Sequence, residues 1–178
     1  MSYTVGYLGP RGTFTEAALG ALSRSDIESV PYPTVAASLD AVRKGDVSAA
    51  LVPFENSIEG SVSQTLDDLA TGEPLVIVEE VAINVNFALM VRPGTKLEDF
   101  RLVTSHPVAF PQCRNWLSTA LPDVQFVPAA SNAAAAEAVS DPASHLDAAI
   151  AASVAASHYG LDVIAHDIAD NQDAVLIE

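Results

Sequence analysis

Leu51-Val52-Pro53-Phe54-Glu55-Asn56-Ser57-Ile58-Glu59-Gly60-Ser61-Val62 begins as an apolar strand, turns at once into a polar loop, and then enters a segment that reads as a helix. Open α/β sheets place their ligands at such strand-to-helix corners, outside the carboxyl ends of the strands. Glu55, Asn56, Ser57 and Gly60 stand between hydrophobic flanks, so the polar groups read as placed rather than merely solvated.

Towards the N-terminus, the same alternation repeats. Tyr3 to Leu8 reads as a buried strand, broken by Gly9-Pro10-Arg11-Gly12. Thr13 then opens a helix through about Ser23, with Glu16 placed to complete a capping box. Ile27 to Tyr32 is a second strand and Thr34 to Lys44 a helix with Val35, Leu39 and Val42 on one face, stopped by Gly45. Ala49 to Phe54 is the strand entering the corner, and Ser61 to Ala70 the helix leaving it. This order implies right-handed crossovers and a mostly parallel sheet.

Beyond the corner the pattern changes. Leu75 to Val91 is β-prone, too long for one ordinary strand, and without turn punctuation. It reads as a connection passing between two lobes, with the boundary near residues 78 to 84. Arg101 to Thr104 is then a strand, and Ser105-His106-Pro107 opens a helix to about Ala120. Val124 to Val127, Ala148 to Ile150, Val163 to Ala165 and Ala174 to Ile177 read as strands. Helices fall between them, one capped by Ser131-Asn132 and running to Val139, another from Ala152 to Tyr159 closed by Gly160. The expected fold is α/β and two-lobed with mostly parallel sheets: residues 1–78 plus 167–178 in one lobe, 79–166 in the other, and a cleft between.

Composition narrows the function. Hydrophobic residues make up 49% of the 178 and the mean hydropathy is +0.27, enough for a sizeable core. No apolar run reaches the roughly 18 residues of a membrane span. No secretory signal is visible, and the single cysteine, Cys113, rules out an internal disulfide framework, so a cytoplasmic protein is expected. The formal charge of −15 argues against nucleic acid, which is bound through Lys and Arg on phosphates. It also repels anionic ligands in general, so only local donors could hold one.

Four polar corners sit at equivalent places: Arg11 to Thr15, Glu55 to Ser57, Thr104 to His106, and Ser131-Asn132. A helix cap explains each one alone; two from each lobe could also converge on one cleft. No His, Cys and Asp cluster has metal-ligand spacing, so no metal is expected. Cys113 follows His106 but reads more simply as a buried hydrophobe than as a nucleophile. Thr13, Asn56, Ser57, Ser105, Gln112 and Asn132 suit the holding of carboxylates and hydroxyls. The reaction does not follow from these residues alone.

Gly9-Pro10-Arg11-Gly12-Thr13-Phe14-Thr15-Glu16-Ala17-Ala18 resembles the N-terminal motif of the prephenate dehydratase family. Val52 through Val62 resembles its central motif, Thr104-Ser105-His106-Pro107 with Gln112-Cys113 its third, and Ser131-Asn132-Ala133-Ala134-Ala135 a fourth. Ala149 through Leu161 and Ile168 to Asn171 extend the resemblance over essentially the whole chain. It implies the two-lobed fold of type 2 periplasmic binding proteins. It also implies a reaction in which prephenate loses water and carbon dioxide to give phenylpyruvate, on the route to phenylalanine, without a cofactor. By the resemblance, Asn56 and Gln112 hold and polarise the substrate. Thr13, Phe14, Glu55, Ser57, Thr104, Ser105, His106, Ser131 and Asn132 line the cleft, with Glu55 either a proton donor or a structural cap. A homodimer or homotetramer is implied as well.

There are two departures. The family's last strand carries Thr-Arg-Phe shortly after an asparagine, its threonine being essential to catalysis. Here the chain runs Asn171-Gln172-Asp173-Ala174-Val175-Leu176-Ile177-Glu178, and the match would resume if a few residues were restored between Val175 and Leu176. Omission of those residues from the sequence is the expected explanation, and a true deletion would leave near-zero turnover. The family also usually continues into an ACT domain that binds phenylalanine. Nothing of that size follows Glu178, so no inhibition by phenylalanine is expected. Arogenate dehydratase, the same chemistry on an aminated substrate, and a two-lobed module that binds a small carboxylate without reacting are the alternatives.

Overall fold

The computed structural model describes residues 3–58, 60–96, 98 and 100–178. Glu59 of the central motif lies outside these. The chain forms two compact units: residues to Pro10, Phe14–Asn84 and Ala174–Glu178 make the first, Arg11–Thr13 and Val85–Asp173 the second. The division falls at Asn84 because Ala82–Asn84 is bound into a sheet of the first unit. The loop before Ala174 stays with the second through Ile168 N–H to Phe87 O at 3.0 Å and Asp170 N–H to Gln112 O.

In the first unit β1 (Tyr3–Leu8) pairs in parallel with β2 (Ile27–Tyr32) on one side and β3 (Ala49–Leu51) on the other. Between β2 and β3 lies α2 (Val35–Lys44), bounded as its sequence requires. Thr34 Oγ1 accepts the Ala37 N–H at 3.0 Å, and Gly45 takes the left-handed conformation, φ 77°, that ends the helix. Val35, Leu39 and Ala41 are buried on its inner face. Val5, Tyr7, Ala18, Leu51 and Val81 form a core cluster, and the one polar atom of the Tyr7 ring is satisfied by Glu16 Oε1 at 3.1 Å. The helix expected from Thr13 to Ser23 is shorter: α1 spans Phe14–Ala18 and tightens into a 3-10 turn, Leu19–Ala21, before Leu22 turns extended. Gly20 sits in that turn, the poorest helix former after proline.

The first unit's other sheet corrects the expectation of mostly parallel pairing. Its order is β5-β4-β12-β6, with β4 (Glu55–Asn56), β5 (Gly60–Ser61), β6 (Ala82–Asn84) and β12 (Val175–Ile177) all antiparallel to their neighbours. β3 ends at Leu51, three residues short of Phe54. α3 (Ser63–Thr71) starts at Ser63 rather than Ser61.

In the second unit a five-stranded sheet has the order β11-β7-β10-β8-β9. β8 (Leu102–Ser105) is parallel to β9 (Gln125–Pro128) and to β10 (Ala148–Ala152), whereas β7 (Phe87–Val91) is antiparallel to β10 and to β11 (Asp162–Ala165). The sheets are therefore mixed. α5 (Asn132–Ser140) and α6 (Val154–Tyr159) pack on β10 through Ala135, Ala136, Ala149, Ala151, Ala155 and Ala156, all buried. Alanine on every facing surface lets helix and sheet approach closely. The helix expected from Ser105 to Ala120 is α4 (Arg114–Ala120), preceded by a 3-10 turn, Phe110–Cys113. A residue before proline is held in extended backbone, so His106 precedes the turn that starts at Pro107, its carbonyl accepting the Ala109 N–H at 2.9 Å, and Ser105 stays in β8.

Candidate functional site

The sequence-predicted residues fall into two groups, one in each unit. In the first, Asn56 and Ser57 are held by β12. Ser57 N–H donates to Val175 O and its Oγ accepts the Val175 N–H, both at 2.9 Å, so hydroxyl and backbone bracket one residue. Asn56 pairs with Leu176 and Glu55 with Ile177. The Asn56 Oδ1 accepts the Ile58 N–H at 2.8 Å, which fixes the turn after β4. Glu55 is an exposed strand residue rather than a helix cap, because the corner is a hairpin.

The second unit gathers Ser105, His106 and Asn132. Ser105 Oγ lies 3.0 Å from both Ile150 O and Asn132 Oδ1, and the His106 N–H donates to the same Asn132 oxygen at 3.1 Å. One carboxamide thus ties the end of β8 to the start of α5. Ser131 is the cap proper, its Oγ accepting the Ala134 N–H at 3.0 Å. The His106 Nδ1 accepts from Val108 N–H at 3.3 Å, leaving Nε2 as the nitrogen that carries hydrogen in the neutral ring. Gln112 Nε2 donates to Val108 O at 3.0 Å, so its side chain folds back along the 3-10 turn. Thr104 and Ser105 are buried in β8, 1% and 0% exposed.

The N-terminal loop divides between the units. Phe14 opens α1 in the first, whereas Thr13 belongs to the second. Gly12, φ 83°, lies against α6, where an added Cβ would come within 3.1 Å of the Ala155 side chain and 3.2 Å of the Tyr159 ring. Only glycine permits both that backbone conformation and that approach. Tyr159 OH donates to Arg11 O at 3.3 Å and fastens the same loop.

Charge is scarce around these groups. Among the described residues Arg24, Arg43, Arg92 and Arg101 are engaged by carboxylates or carbonyls, leaving Arg11 and Arg114 with no recorded side-chain partner. Cys113 is fully buried, and burial together with the nearby Asp170 carboxylate pushes its thiol up to about 12. A thiol buried and raised in this way is no ready thiolate, which argues against a Cys–His nucleophile pair. Among the described residues no group of His, Cys, Asp or Glu could hold a metal ion.

Three features escaped sequence reading. Asp170 accepts the Asn115 N–H at 3.1 and 3.2 Å and so caps α4 from a distant loop. Asn86 has a buried Oδ1 with no protein donor, beside the passage from β6 to β7. Glu178, 7% exposed, accepts the Thr15 hydroxyl at 2.9 Å through Oε1 while Oε2 has no partner, and burial raises its carboxyl to about 8. Aspartate in a polar loop, asparagine between apolar strands and a terminal glutamate carry no local signal for such roles.

A family model described as prephenate dehydratase matches residues 5–175. A prephenate dehydratase of Mycolicibacterium vanbaalenii is 44% identical over 184 aligned residues, covering 96% of this chain and 58% of the relative. One from Mycolicibacterium gilvum is 47% identical over 181, covering 96% and 58%. The crystal structure of prephenate dehydratase from Arthrobacter aurescens in complex with L-Phe shares 43% identity and a TM-score of 0.91, covering 98% of this chain and 57% of that one. The chain therefore spans a little over half the length of these relatives.

Proposed function

This chain belongs to the prephenate dehydratase family, and we propose that it binds prephenate and carries its decarboxylating dehydration to phenylpyruvate. The reading rests on one observation above the others: the motif residues Asn56 and Ser57 are hydrogen-bonded into the strand at which the family's match ends, Val175. The two units are taken as lobes of the type 2 periplasmic-binding-protein kind, with substrate held between them. Prephenate is a dianion; it takes up one proton and leaves as phenylpyruvate, carbon dioxide and water. The proton goes to the departing ring hydroxyl as the ring carboxylate breaks away, and the electrons of the broken C–C bond enter the new aromatic ring. Such a step asks for positioning and one proton rather than a strong nucleophile. Asn56 and Gln112 orient the substrate by hydrogen bonds, and Ser57 and the Ser105–Asn132–His106 cluster supply further polar groups. Arg11 supplies positive charge to the dianion against the overall field. Catalysis is placed in the cytoplasm, in a homodimer or homotetramer.

A second reading is favoured by β12 itself. A threonine placed directly after Val175 would take the position of Leu176, and residues directly opposite across an antiparallel ladder share a face about 5 Å apart. Leu176 puts a hydrocarbon where that hydroxyl would stand beside Asn56. On this reading the chain binds prephenate or a similar carboxylate and turns it over poorly. Incubation with prephenate followed by phenylpyruvate absorbance in base, incubation with arogenate followed by phenylalanine release, and calorimetric titration of each compound separate the two. Product formation supports the reaction; binding without product supports the second reading; no binding of either compound overturns both.

A further inference from the structure

Arg11–Thr13 belong to the second unit although the chain on both sides of them, Pro10 and Phe14, belongs to the first. Within the second unit they rest on α6. Ala155 and Ala156 of that helix are buried in the unit's core cluster, so α6 is a fixed wall. Gly12 is buried against it: an added Cβ would lie 3.1 Å from the Ala155 side chain, 3.2 Å from the Ala155 Cα and 3.2 Å from the Tyr159 ring. Two small residues thus bring loop backbone onto the helix, and the aromatic ring stands beside the contact.

Tyr159 is placed for this by the way α6 ends. Gly160 takes φ 65° and donates its N–H to Ala156 O, and Leu161 N–H donates to the same carbonyl at 2.9 Å. That left-handed cap fixes Tyr159 as the last residue of the helix. Its hydroxyl reaches the loop and donates to Arg11 O at 3.3 Å. A carbonyl held in this way orients the Arg11–Gly12 peptide and with it the point from which the Arg11 side chain leaves the loop. Arg11 is exposed, with no recorded side-chain partner among the described residues, in a chain with 8 basic against 23 acidic residues. On a loose loop such a cation would be drawn to the chain's own carboxylates. On a fixed one its charge is presented from a defined place.

We infer that Tyr159 is a positioning residue: by holding the Arg11 carbonyl it fixes the Arg11–Thr13 loop on α6, and the fixed loop sets the affinity for the anionic substrate through the Arg11 guanidinium. This role rests on the binding of prephenate proposed above and adds to it a residue that acts through another. Tyr159 works through a backbone bond, so its contribution is preorganisation. Removing the hydroxyl leaves the reacting groups as they were and changes how well the dianion is captured.

The test joins tryptic cleavage of the free chain to calorimetric titration with prephenate. Tyr159→Phe keeps the ring beside Gly12 and loses only the hydroxyl. Loss of one hydrogen bond predicts about fivefold faster cleavage after Arg11, with cleavage after the exposed Arg24 unchanged as the internal reference. Prephenate should bind about fivefold more weakly, with KM raised and kcat unchanged. In an Arg11→Ala background the same substitution should leave prephenate affinity where it was, the coupling that a purely structural role would not produce. Gly12→Ala sets a methyl against Ala155 in left-handed backbone and disturbs the same loop; it should weaken binding likewise, and it decides if Tyr159→Phe does not fold. Equal prephenate binding by wild type and Tyr159→Phe overturns the role of Tyr159 while leaving the binding of prephenate standing. Unchanged cleavage after Arg11 overturns the latch, and a loss of affinity that persists without Arg11 overturns the route through the guanidinium. A wild type that binds no prephenate overturns the proposed function and this role together.

Discussion

Glu178 ties a measurable pH dependence to one strand end. Its carboxyl is 7% exposed, its Oε2 has no hydrogen-bond partner, and burial raises it from 4.5 to about 8, a shift that the Thr15 hydroxyl on Oε1 only partly offsets. A carboxyl raised in the folded state stabilises that state fully below its unfolded value and loses the contribution as pH climbs through the folded one. Between about pH 4.5 and 8 the native chain holds a proton that the unfolded chain has released. Each pH unit in that window then removes about 1.4 kcal/mol, and the whole window about 5 kcal/mol at most, a large share of a typical domain's 5–15 kcal/mol. Other carboxylates contribute their own slopes, so the informative quantity is the difference between wild type and Glu178→Gln. Glutamine keeps an acceptor for Thr15 and cannot ionise. Urea unfolding from pH 5 to 9 should show the two proteins converging at pH 5 and the glutamine variant pulling ahead towards pH 8. Parallel profiles, with no divergence across the window, would refute the buried-carboxyl account.

Leu176→Thr places a hydroxyl across the ladder from Asn56; phenylpyruvate formation should rise by roughly 10²–10⁴-fold, the usual worth of a positioned proton donor, with prephenate affinity little changed. Asn56→Ala should weaken kcat/KM by about 10–100-fold through loss of a polar contact worth about 1–3 kcal/mol; unchanged steady-state kinetics would remove Asn56 from the site. Asn132→Ala strips the acceptor from the His106 N–H and the partner from Ser105, and should cost about 1–3 kcal/mol in a denaturant melt, more than Ser131→Ala at roughly 1 kcal/mol for a lost cap. Cys113, buried with its thiol near 12, should resist iodoacetamide at pH 8 until the chain is unfolded; rapid labelling of native protein would contradict its burial.

What could be read from the chain was whatever is settled within a few residues. Thr34 and Gly45 bound α2, Ser131 caps α5 and Gly160 ends α6 at φ 65°, because caps and left-handed turns are local chemistry. Strand positions followed for the same reason, from alternation and apolar runs. The pairing of those strands did not. β4 is two residues long and would be a loop without β12, whose Val175 meets Ser57 from 118 positions away; nothing near Glu55-Asn56-Ser57 announces that partner. The same distance hides the antiparallel character of the sheet, since the order of strands along the chain suggests crossovers and cannot show one strand returning from the far end. Among site residues, polarity at strand ends pointed to Asn56, Ser105 and Asn132, but nothing near Asn132 tied it to Ser105 and His106. Its carboxamide instead joins Ser105 and His106, a role set by where β8 ends relative to α5.

The departure at Val175 has its effects through β12. The strand that completes the hairpin around Asn56 is also the strand that places Leu176 against it and buries Glu178 with an unpartnered oxygen. Two misfits, a hydrocarbon beside a polar corner and a carboxyl in a buried hole, therefore share one cause: the register of Val175–Glu178. The insertion of Thr-Arg-Phe-Val between Val175 and Leu176 tests that cause in a single variant. It should bring a hydroxyl opposite Asn56 and replace Glu178 by phenylalanine in the hole. Turnover and the flattening of the pH profile should then appear together. If only turnover recovers, while the pH slope persists, the register does not govern the two features jointly.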